Sequence, residues 1–570
     1  MANKSIFKSN KTRNSVVVEA ADCVNNAGGV AYKQTDKHAL AQYCLTGTIS
    51  NTFYSNAEAQ LDEILKLSKK VPTEFIAKLA VYAREHGYMK DTPAVLCAIL
   101  AVRDVELLKK VFPLVMDNGK MVRNFVQIIR SGKVGRKSFG SSLKKMIQKW
   151  ITSRHENQLF RDSVGNDPSL CDVIKMVRPR PADKVRENLY AYITGHLSFS
   201  MKNDKLTIAK TIPCKGEVKT VKVSSKDIPK IICEYETYKL TKNGEVPDVP
   251  FQMLTALDLG KKEWTSIADN AKWTMTRMNL NTFNRHGVFE DRKMIAKIAS
   301  RLSSKEEIQK AKIFPYQLFA AYMNTEDVPH EIKEALQDAM EIAIDNIPSI
   351  DCQVYIACDT SGSMSSNITG NRGSASSKIR CIDVAALISS AILRKNPSAK
   401  ILPFDTTVHK CNFNPRDSVM TNARTLAKFG GGGTSCAAPI ATLNASNAKG
   451  DLVIMISDNE SWASFNKQNY YGDSGTEMSS AWKQFKLRNP NAKLICLDLV
   501  PNNHSQAKNS EDVLNIGGFS DIIFDIFASF IKGDLFNEAF TAVIESVSLD
   551  SKNVRKALSS EKIEVEKAKK

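Results

Sequence analysis

Asp359-Thr360-Ser361-Gly362-Ser363 places one carboxylate and two hydroxyls at alternate positions of a tight turn that follows an apolar run. Oxygen donors of this kind suit a hard cation, since Mg2+ takes oxygen ligands in near-octahedral geometry and keeps some of its water. Two more oxygens stand further along. Thr434 ends the loop Gly430-Gly431-Gly432-Gly433-Thr434-Ser435, and Asp458 follows Ile454-Met455-Ile456-Ser457. Glycine has no side chain to clash, so four in a row can bring the next hydroxyl close to a neighbouring turn. The chemistry expected is therefore cation binding, with Mg2+ as the cofactor. A metal-dependent nuclease using Asp359 and Asp458 is the rival reading. Two-metal hydrolysis needs a denser carboxylate cluster, whereas hydroxyls dominate here, and none of the eight histidines pairs with another at metal-ligand spacing.

The elements around these residues must hold them at one end of a sheet. Cys352 to Cys358 reads as a strand, β-branched and aromatic with no breaker. Cys381 to Leu393 reads as a helix, so the first ligands lie at the carboxyl end of a strand, where open α/β sheets bind their ligands. With this set in place, the region from about Ile350 to about Glu545 resembles a von Willebrand factor A domain. The family's metal-ion-dependent adhesion site falls on Asp359, Ser361 and Ser363, completed by Thr434 and Asp458. The resemblance implies a bound Mg2+ with one position open to a partner's carboxylate.

Charge is distributed unevenly. Of the +18 formal charge over 570 residues, residues 1–350 hold 54 Lys and Arg against 39 Asp and Glu, a net of +15. The excess is densest between Asn118 and His155, which has ten basic residues and no acid. Such a run, interleaved with Phe125, Phe139 and Trp150, has the composition of a nucleic-acid footprint, the alternative being a solvated face.

The same part reads as short helices with apolar residues at three- and four-residue spacing: Ala57 to Ser68, Pro72 to Glu85, Pro93 to Val102, Val105 to Met116, Met121 to Arg130 and Ser141 to Ile151. Asp91-Thr92-Pro93 is expected to start one, and Gly87, Gly119 and Gly132 to stop others. Repeated hairpins of this size bury their apolar faces by stacking on one another, as HEAT-like units do.

Together these parts resemble the Ro ribonucleoprotein, or TROVE-domain, family of bacterial or phage type, over nearly the whole chain. The markers are Asn26-Ala27-Gly28-Gly29, Thr35-Asp36, Thr52-Phe53-Tyr54, Thr92-Pro93-Ala94, Phe139-Gly140 with Leu143 to Trp150, Met278 to Arg285, and Ile313-Phe314-Pro315-Tyr316. The resemblance implies an α + α/β architecture: a ring-shaped HEAT-like helical domain over 1–348, an A domain over 349–548, and a charged tail over 549–570. It implies a non-enzymatic, cytoplasmic and monomeric RNA-binding protein. Single-stranded 3′ ends of structured or misfolded noncoding RNA would sit in the central hole, and Y-type small RNAs on the outer surface. The open cation position would serve an exoribonuclease or another protein partner; a Mg2+-dependent protein-interaction module, with incidental basic helices, is a further alternative. Residues expected at RNA are Lys144, Lys145 and Lys149 first, then Lys120, Arg123, Lys133, Arg136, Lys137, Arg161, Arg178, Arg180 and Arg285. Relatives tend to carry histidine where this chain has Arg178, which keeps a cation and removes a pH-sensitive group.

Residues 198–250 exceed the family core. Leu206-Thr207-Ile208 and Val218 to Val223 alternate like strands about Pro213-Cys214-Lys215-Gly216, which predicts a lysine-rich β-hairpin insertion, either a plain surface loop or an extra RNA contact. The twelve cysteines include no C-x-x-C spacing, so reduced thiols are expected. Met1 to Asn14 is polar and basic, without the apolar region of a secretory signal. No stretch is long and apolar enough to span a bilayer.

Overall fold

Five apolar strands, each flanked by helical sequence, build the parallel sheet that carries the candidate site. In this computed structural model the order across the sheet is Val513–Gly517, Lys493–Asp498, Leu452–Ser457, Val354–Asp359 and Lys400–Phe404. All neighbours run parallel. Strands covered on both faces need near-continuous hydrophobic runs, and every residue of Val354–Asp359 and Leu452–Ser457 is buried. These two strands are adjacent, with Cys358 opposite Ile456. The chain leaves Val354–Asp359 for a neighbour on one side and returns to build the other side, so the two form a topological switch point, whose carboxyl end is the usual ligand crevice. The Cys381–Lys395 helix is buried from Cys381 through Leu393, and the Asp383 carboxylate in its first turn accepts from the Arg380 backbone N–H at 2.9 Å and from the Arg380 guanidinium at 2.7 Å.

The structure describes residues 18–47, 49–166, 168–214, 217–311, 315–325, 327–344, 347, 349–350, 352–368, 379–464, 476–518, 522–533 and 539–550. The tail 551–570, the residues before 18 and most of Ile313-Phe314-Pro315 lie outside them. The chain divides into two units, one of Met1–Thr46, Ser50–Asn56 and Asn346–Phe540, the other of Gly47–Ile49, Ala57–Asp345 and Thr541–Lys570. This differs from an expected helical domain beginning at residue 1. Val30–Lys33 pairs antiparallel with Cys23–Val24 on one side and with His504–Ser505 on the other, and the Asp36–Thr46 helix is buried from His38 to Thr46. The N-terminal strap is part of the parallel-sheet unit because its His504–Ser505 partner lies more than 400 residues away, beyond any local pattern.

In the helical unit the first six helices are Ala57–Ser68, Thr73–Glu85, Asp91–Arg103, Val105–Val115, Gly119–Ser131 and Ser141–Ser153, each within two residues of its expected bounds. Asp104 and Asn118 cap two of them by accepting from the backbone N–H of Leu107 and Met121. Gly132, at φ 76°, ends the Gly119–Ser131 helix as expected. Gly119 opens that helix instead of stopping the previous one, because the Asn118 side chain caps there. Thr73–Glu85 and Asp91–Arg103 each pack on the next helix and the next but one, and Val105–Val115 and Gly119–Ser131 on the next but one. Their contacts bury Tyr82, Phe112, Phe125 and Phe160.

The insertion is a three-stranded antiparallel sheet, Leu197–Lys202, Lys205–Cys214 and Glu217–Val223, so it holds one strand more than a hairpin. Asn203 and Asp204, both at positive φ, make its first two-residue turn. Eleven cysteines carry thiols outside any disulfide among the described residues. No described helix is long and apolar enough to cross a membrane.

Candidate cation site and nucleic-acid interface

Asp359 closes its strand with its carboxylate turned into the turn that follows. Its Oδ1 accepts from the Ser361 backbone N–H at 2.8 Å and its Oδ2 from the Ser457 hydroxyl at 2.6 Å. The Ser361 and Ser363 hydroxyl oxygens stand 3.3 Å apart, and the Ser363 hydroxyl also bonds the Asp458 carboxylate. Asp359, Ser361, Ser363, Thr434 and Asp458 are all buried.

The four-glycine loop reaches this turn as its composition predicts. The Gly431 N–H donates to the Thr360 carbonyl at 2.8 Å, and the Gly362 N–H to the Gly432 carbonyl at 3.0 Å. A Cβ at Gly430, where φ is +85°, would lie 2.0 Å from the Thr360 oxygen. At Gly433 it would lie 2.5 Å from the Trp462 ring. Only glycine permits the approach at Gly430, which brings the loop that ends in buried Thr434 against the turn. The next hydroxyl, Ser435 Oγ, is buried without a hydrogen-bond partner among the described residues.

The electrostatics suit a divalent cation. Burial pushes the carboxyls of Asp359 and Asp458 above the usual carboxylate range, and their mutual repulsion adds to the shift of Asp458. No Lys, Arg or His among the described residues pairs with either. Two buried acids beside three hydroxyls, one orphaned hydroxyl nearby and no internal counter-cation form an oxygen donor set that fits Mg2+.

Three groups around these loops escape sequence reading. The Tyr54 hydroxyl hydrogen-bonds Ser363, and burial together with the charges of Asp458, Glu460 and Asp359 pushes it up to about 12. Phe53 stacks edge-on against Tyr54 at 4.8 Å. Behind the turn, buried Glu460 is held by the Asn26 side chain at 2.5 Å, the Ala27 N–H at 3.2 Å and His504 Nε2 at 3.2 Å. The Thr52-Phe53-Tyr54 and Asn26-Ala27-Gly28-Gly29 stretches stand out in the sequence, but nothing there ties them to Ser363 or Glu460.

The basic residues of the helical unit divide by environment. Lys144, Lys145 and Lys149 are exposed on the outer side of the Ser141–Ser153 helix, whose inner side buries Leu143, Ile147, Trp150 and Ile151. Gln148 on the same helix donates to the Val177 carbonyl at 2.5 Å, which brings exposed Arg178 alongside. Arg178 takes the left-handed conformation (φ 50°) that ends its helix. Lys120, Lys137, Arg180 and Arg285 are also exposed.

Four of the expected RNA contacts are otherwise engaged. Arg123 is buried, bonds the Gly119 carbonyl and lies beneath Gly165, whose Cβ would sit 2.3 Å from its guanidinium. Arg136 donates to the carbonyls of Ala101 at 2.7 Å and Ser138 at 2.9 Å, bracing a loop. Lys133 pairs with Glu58 at 2.8 Å and Arg161 with Asp248 at 2.8 Å, both on the surface. The aromatic residues of the basic run are a second correction. Phe125 and Trp150 belong to the core, and the indole N–H donates to the Met116 carbonyl at 2.6 Å, so neither presents a stacking face. Lys90 was not anticipated: it lies near Lys120 and Arg84, and their repulsion adds to burial in lowering its ammonium below the usual range.

The doubly covered parallel sheet with its oxygen-lined carboxyl end defines a von Willebrand factor A domain, in a chain that also contains a stack of helices. The model of the Ro60 vWA domain matches residues 353–531, and that of the TROVE domain matches residues 245–367. The chain belongs to the Ro, or TROVE-domain, family. It is 20% identical over 541 residues to the RNA-binding protein RO60 of Deinococcus radiodurans, covering 90% of this chain and 95% of that protein. The RNA-binding protein RO60 of Caenorhabditis elegans is 24% identical over 291 residues, 48% of this chain and 42% of that protein. The crystal structure of the Deinococcus radiodurans RO (RSR) protein superposes with a TM-score of 0.59 at 18% identity, covering 88% of this chain and all of that one. That likeness extends the shared α + α/β fold over most of the chain.

Proposed function

We propose that this protein binds RNA without cleaving it, and that its helical unit grips the phosphate backbone of unpaired RNA. The observation that carries this reading is the row of Lys144, Lys145 and Lys149, exposed on one helix beside Arg178, with no ion-pair partner for any of them among the described residues. Cations free of internal partners are available to phosphates. The relatives' names supply the ligand class. The family resemblance extends the proposal to single-stranded 3′ ends of structured or misfolded noncoding RNA threaded through a ring of repeats, to Y-type RNAs on the outer surface, and to a monomeric cytoplasmic scaffold.

Mg2+ is the proposed cofactor of the A domain, held by Asp359, Ser361, Ser363, Thr434 and Asp458. Bound there, it would supply an open coordination position for an acidic group of a protein partner, an exoribonuclease being one. The chain's own residues form the cradle, through the glycine-loop contacts and the Ser457–Asp359 bond.

The test compares a tailed RNA hairpin, the same hairpin without its tail, and a circular RNA of equal unpaired length. Tail-dependent binding without cleavage is the expected result, and tail sequence should matter little because backbone contacts tolerate every base. Mg2+-dependent cleavage would make the protein a nuclease. Equal affinity for the circle and the tailed hairpin would refute threading and leave the basic surface standing.

A further inference from the structure

The inserted sheet has two chemically opposite faces. Cross-strand register puts Leu197, Phe199, Met201, Leu206, Ile208 and Lys210 on one of them. Near the first strand that face turns inward, where Ile208 is buried, the Phe199 and Tyr192 rings meet at 5.8 Å, and Lys210 pairs with Glu187 at 2.5 Å, while Ile212 and Val221 further along it are exposed. The opposite face is set by the same register. Lys202 lies across from Lys205, Ser200 from Thr207, Ser198 from Ala209 and then Lys222, and Thr211 from Thr220. Over residues 198–211 and 220–222 the strand residues that register places on this face are hydroxyls, lysines and one alanine, without an acid or an aromatic ring, and the Pro213–Val218 pair continues it at the far end. Ser198, Ser200, Lys202, Lys205, Thr220 and Lys222 are exposed, and the three lysines have no ion-pair partner among the described residues.

We propose that this outer face is a backbone-directed contact for double-helical segments of the bound RNA. Lys202, Lys205 and Lys222 would meet phosphates, and the Ser and Thr hydroxyls would bond phosphate and ribose 2′-hydroxyl oxygens. The inference rests on the RNA-binding reading and adds a second surface to it. Aromatic rings that stack unpaired bases add to backbone contacts in single-strand sites, and among residues 198–211 and 220–222 this face offers none to supplement its cations. Duplex RNA is recognised by shape through phosphate and 2′-hydroxyl contacts, for which cations and hydroxyls suffice. The Lys202–Lys205 pair lies two rows of side chains from Lys222, roughly 13 Å along the strands at about 3.4 Å per residue. A flat face with cations that far apart can engage more than one phosphate of a single helix.

The experiment uses the full chain and two triple variants, Lys202→Glu/Lys205→Glu/Lys222→Glu and the same positions changed to Gln. Affinity for a blunt RNA duplex and for a single strand of equal length is measured by fluorescence anisotropy across a salt series. The Glu variant should lose roughly tenfold or more in duplex affinity at low salt, and both variants should flatten the duplex salt slope by about 2 to 3, at ~0.9 per phosphate contact. Single-strand affinity should stay within about twofold, since its lysines lie on other helices. The Gln variant preserves the sheet's pairing and guards against misfolding. An unchanged duplex slope in both variants overturns the proposal, as does an equal loss on duplex and single strand. Failure of the wild-type protein to bind either RNA would remove the RNA-binding reading itself.

Discussion

Asn26 Nδ2 donates to Glu460 Oε1 at 2.5 Å, joining positions 434 residues apart. The Asn25 side chain secures the same junction by donating to the Ser461 carbonyl at 2.7 Å, while its own oxygen accepts from the Ala27 and Gly29 N–H groups. A Cβ at Gly29 would stand 2.0 Å from the Ser461 oxygen, so the turn presses on the loop that carries Asp458. The N-terminal strap thereby fixes the back of the candidate cation site.

Asn26→Ala should destabilise the parallel-sheet unit by about 1.5–3 kcal/mol, the usual worth of a hydrogen bond to a charged group. Glu460 is left with the Ala27 N–H and His504 as its remaining partners. Urea unfolding followed at Trp462 and Trp482 measures the change. An unaltered midpoint would mean that the strap contributes nothing to the fold of the loop.

Asp359→Ala should abolish Mg2+ binding, because it removes the carboxylate on the turn, while Ser361→Ala and Ser363→Ala weaken it. Tyr54→Phe should leave the site able to bind Mg2+, since the phenol bonds Ser363 from the side of the strap and its removal takes no carboxylate away. Calorimetry on the four variants decides, and retained Mg2+ affinity in Asp359→Ala would sink the site. RNA affinity should survive all four changes if the helical unit alone holds RNA.

The turn proposed to hold a cation was legible because its parts are local. Asp359, Ser361 and Ser363 lie within five residues, and Gly430 to Gly433 announce a close approach whichever partner they meet. The helices were legible for the same reason, since Asp104, Asn118 and Gly132 act within one turn of chain. The N-terminal strap was not. Val30–Lys33 has no alternation long enough to specify a strand, and its partners Cys23–Val24 and His504–Ser505 are two residues long each. Charge was misread where burial matters: Arg123 and Arg136 look like Lys144 in sequence, yet carbonyl oxygens claim them.

His38 links the strap to pH. Burial lowers its imidazole from 6.5 to about 4, its ring meets Phe540 edge-on at 5.2 Å, and its Nε2 has no partner among the described residues. The unfolded chain therefore binds a proton that the folded chain refuses. Stability from this group is full above pH 6.5 and falls as pH drops toward 4, by ~2–4 kcal/mol in total. His38→Gln should flatten that part of the stability curve in acid denaturation. An identical pH dependence in the variant and the wild type would show that the His38 imidazole titrates alike in the folded and unfolded chain, which overturns the burial shift.

The last prediction separates cations that hold RNA from cations that hold the protein. Lys144→Glu/Lys145→Glu should leave thermal stability within about 0.5 kcal/mol, as surface changes usually do, because both side chains are exposed. If four to six basic residues touch phosphates of a single strand, log affinity should fall against log salt with a slope of roughly −3 to −4, at about 0.7 per contact. The double variant should flatten that slope by about 1.4 and weaken binding across sequences. Arg123→Ala should do the reverse. It empties a buried site under Gly165 and frees the Gly119 carbonyl, so it should lower the melting temperature while leaving the slope unchanged. Arg136→Ala should behave likewise, since its guanidinium ties the loop after Gly132 to the Ala101 carbonyl. Measuring both slope and melting temperature on all three variants places each residue in one class. A slope unchanged by Lys144→Glu/Lys145→Glu would reduce the Asn118 to His155 run to a solvated face, and a slope changed by Arg123→Ala without loss of stability would return that arginine to the RNA interface.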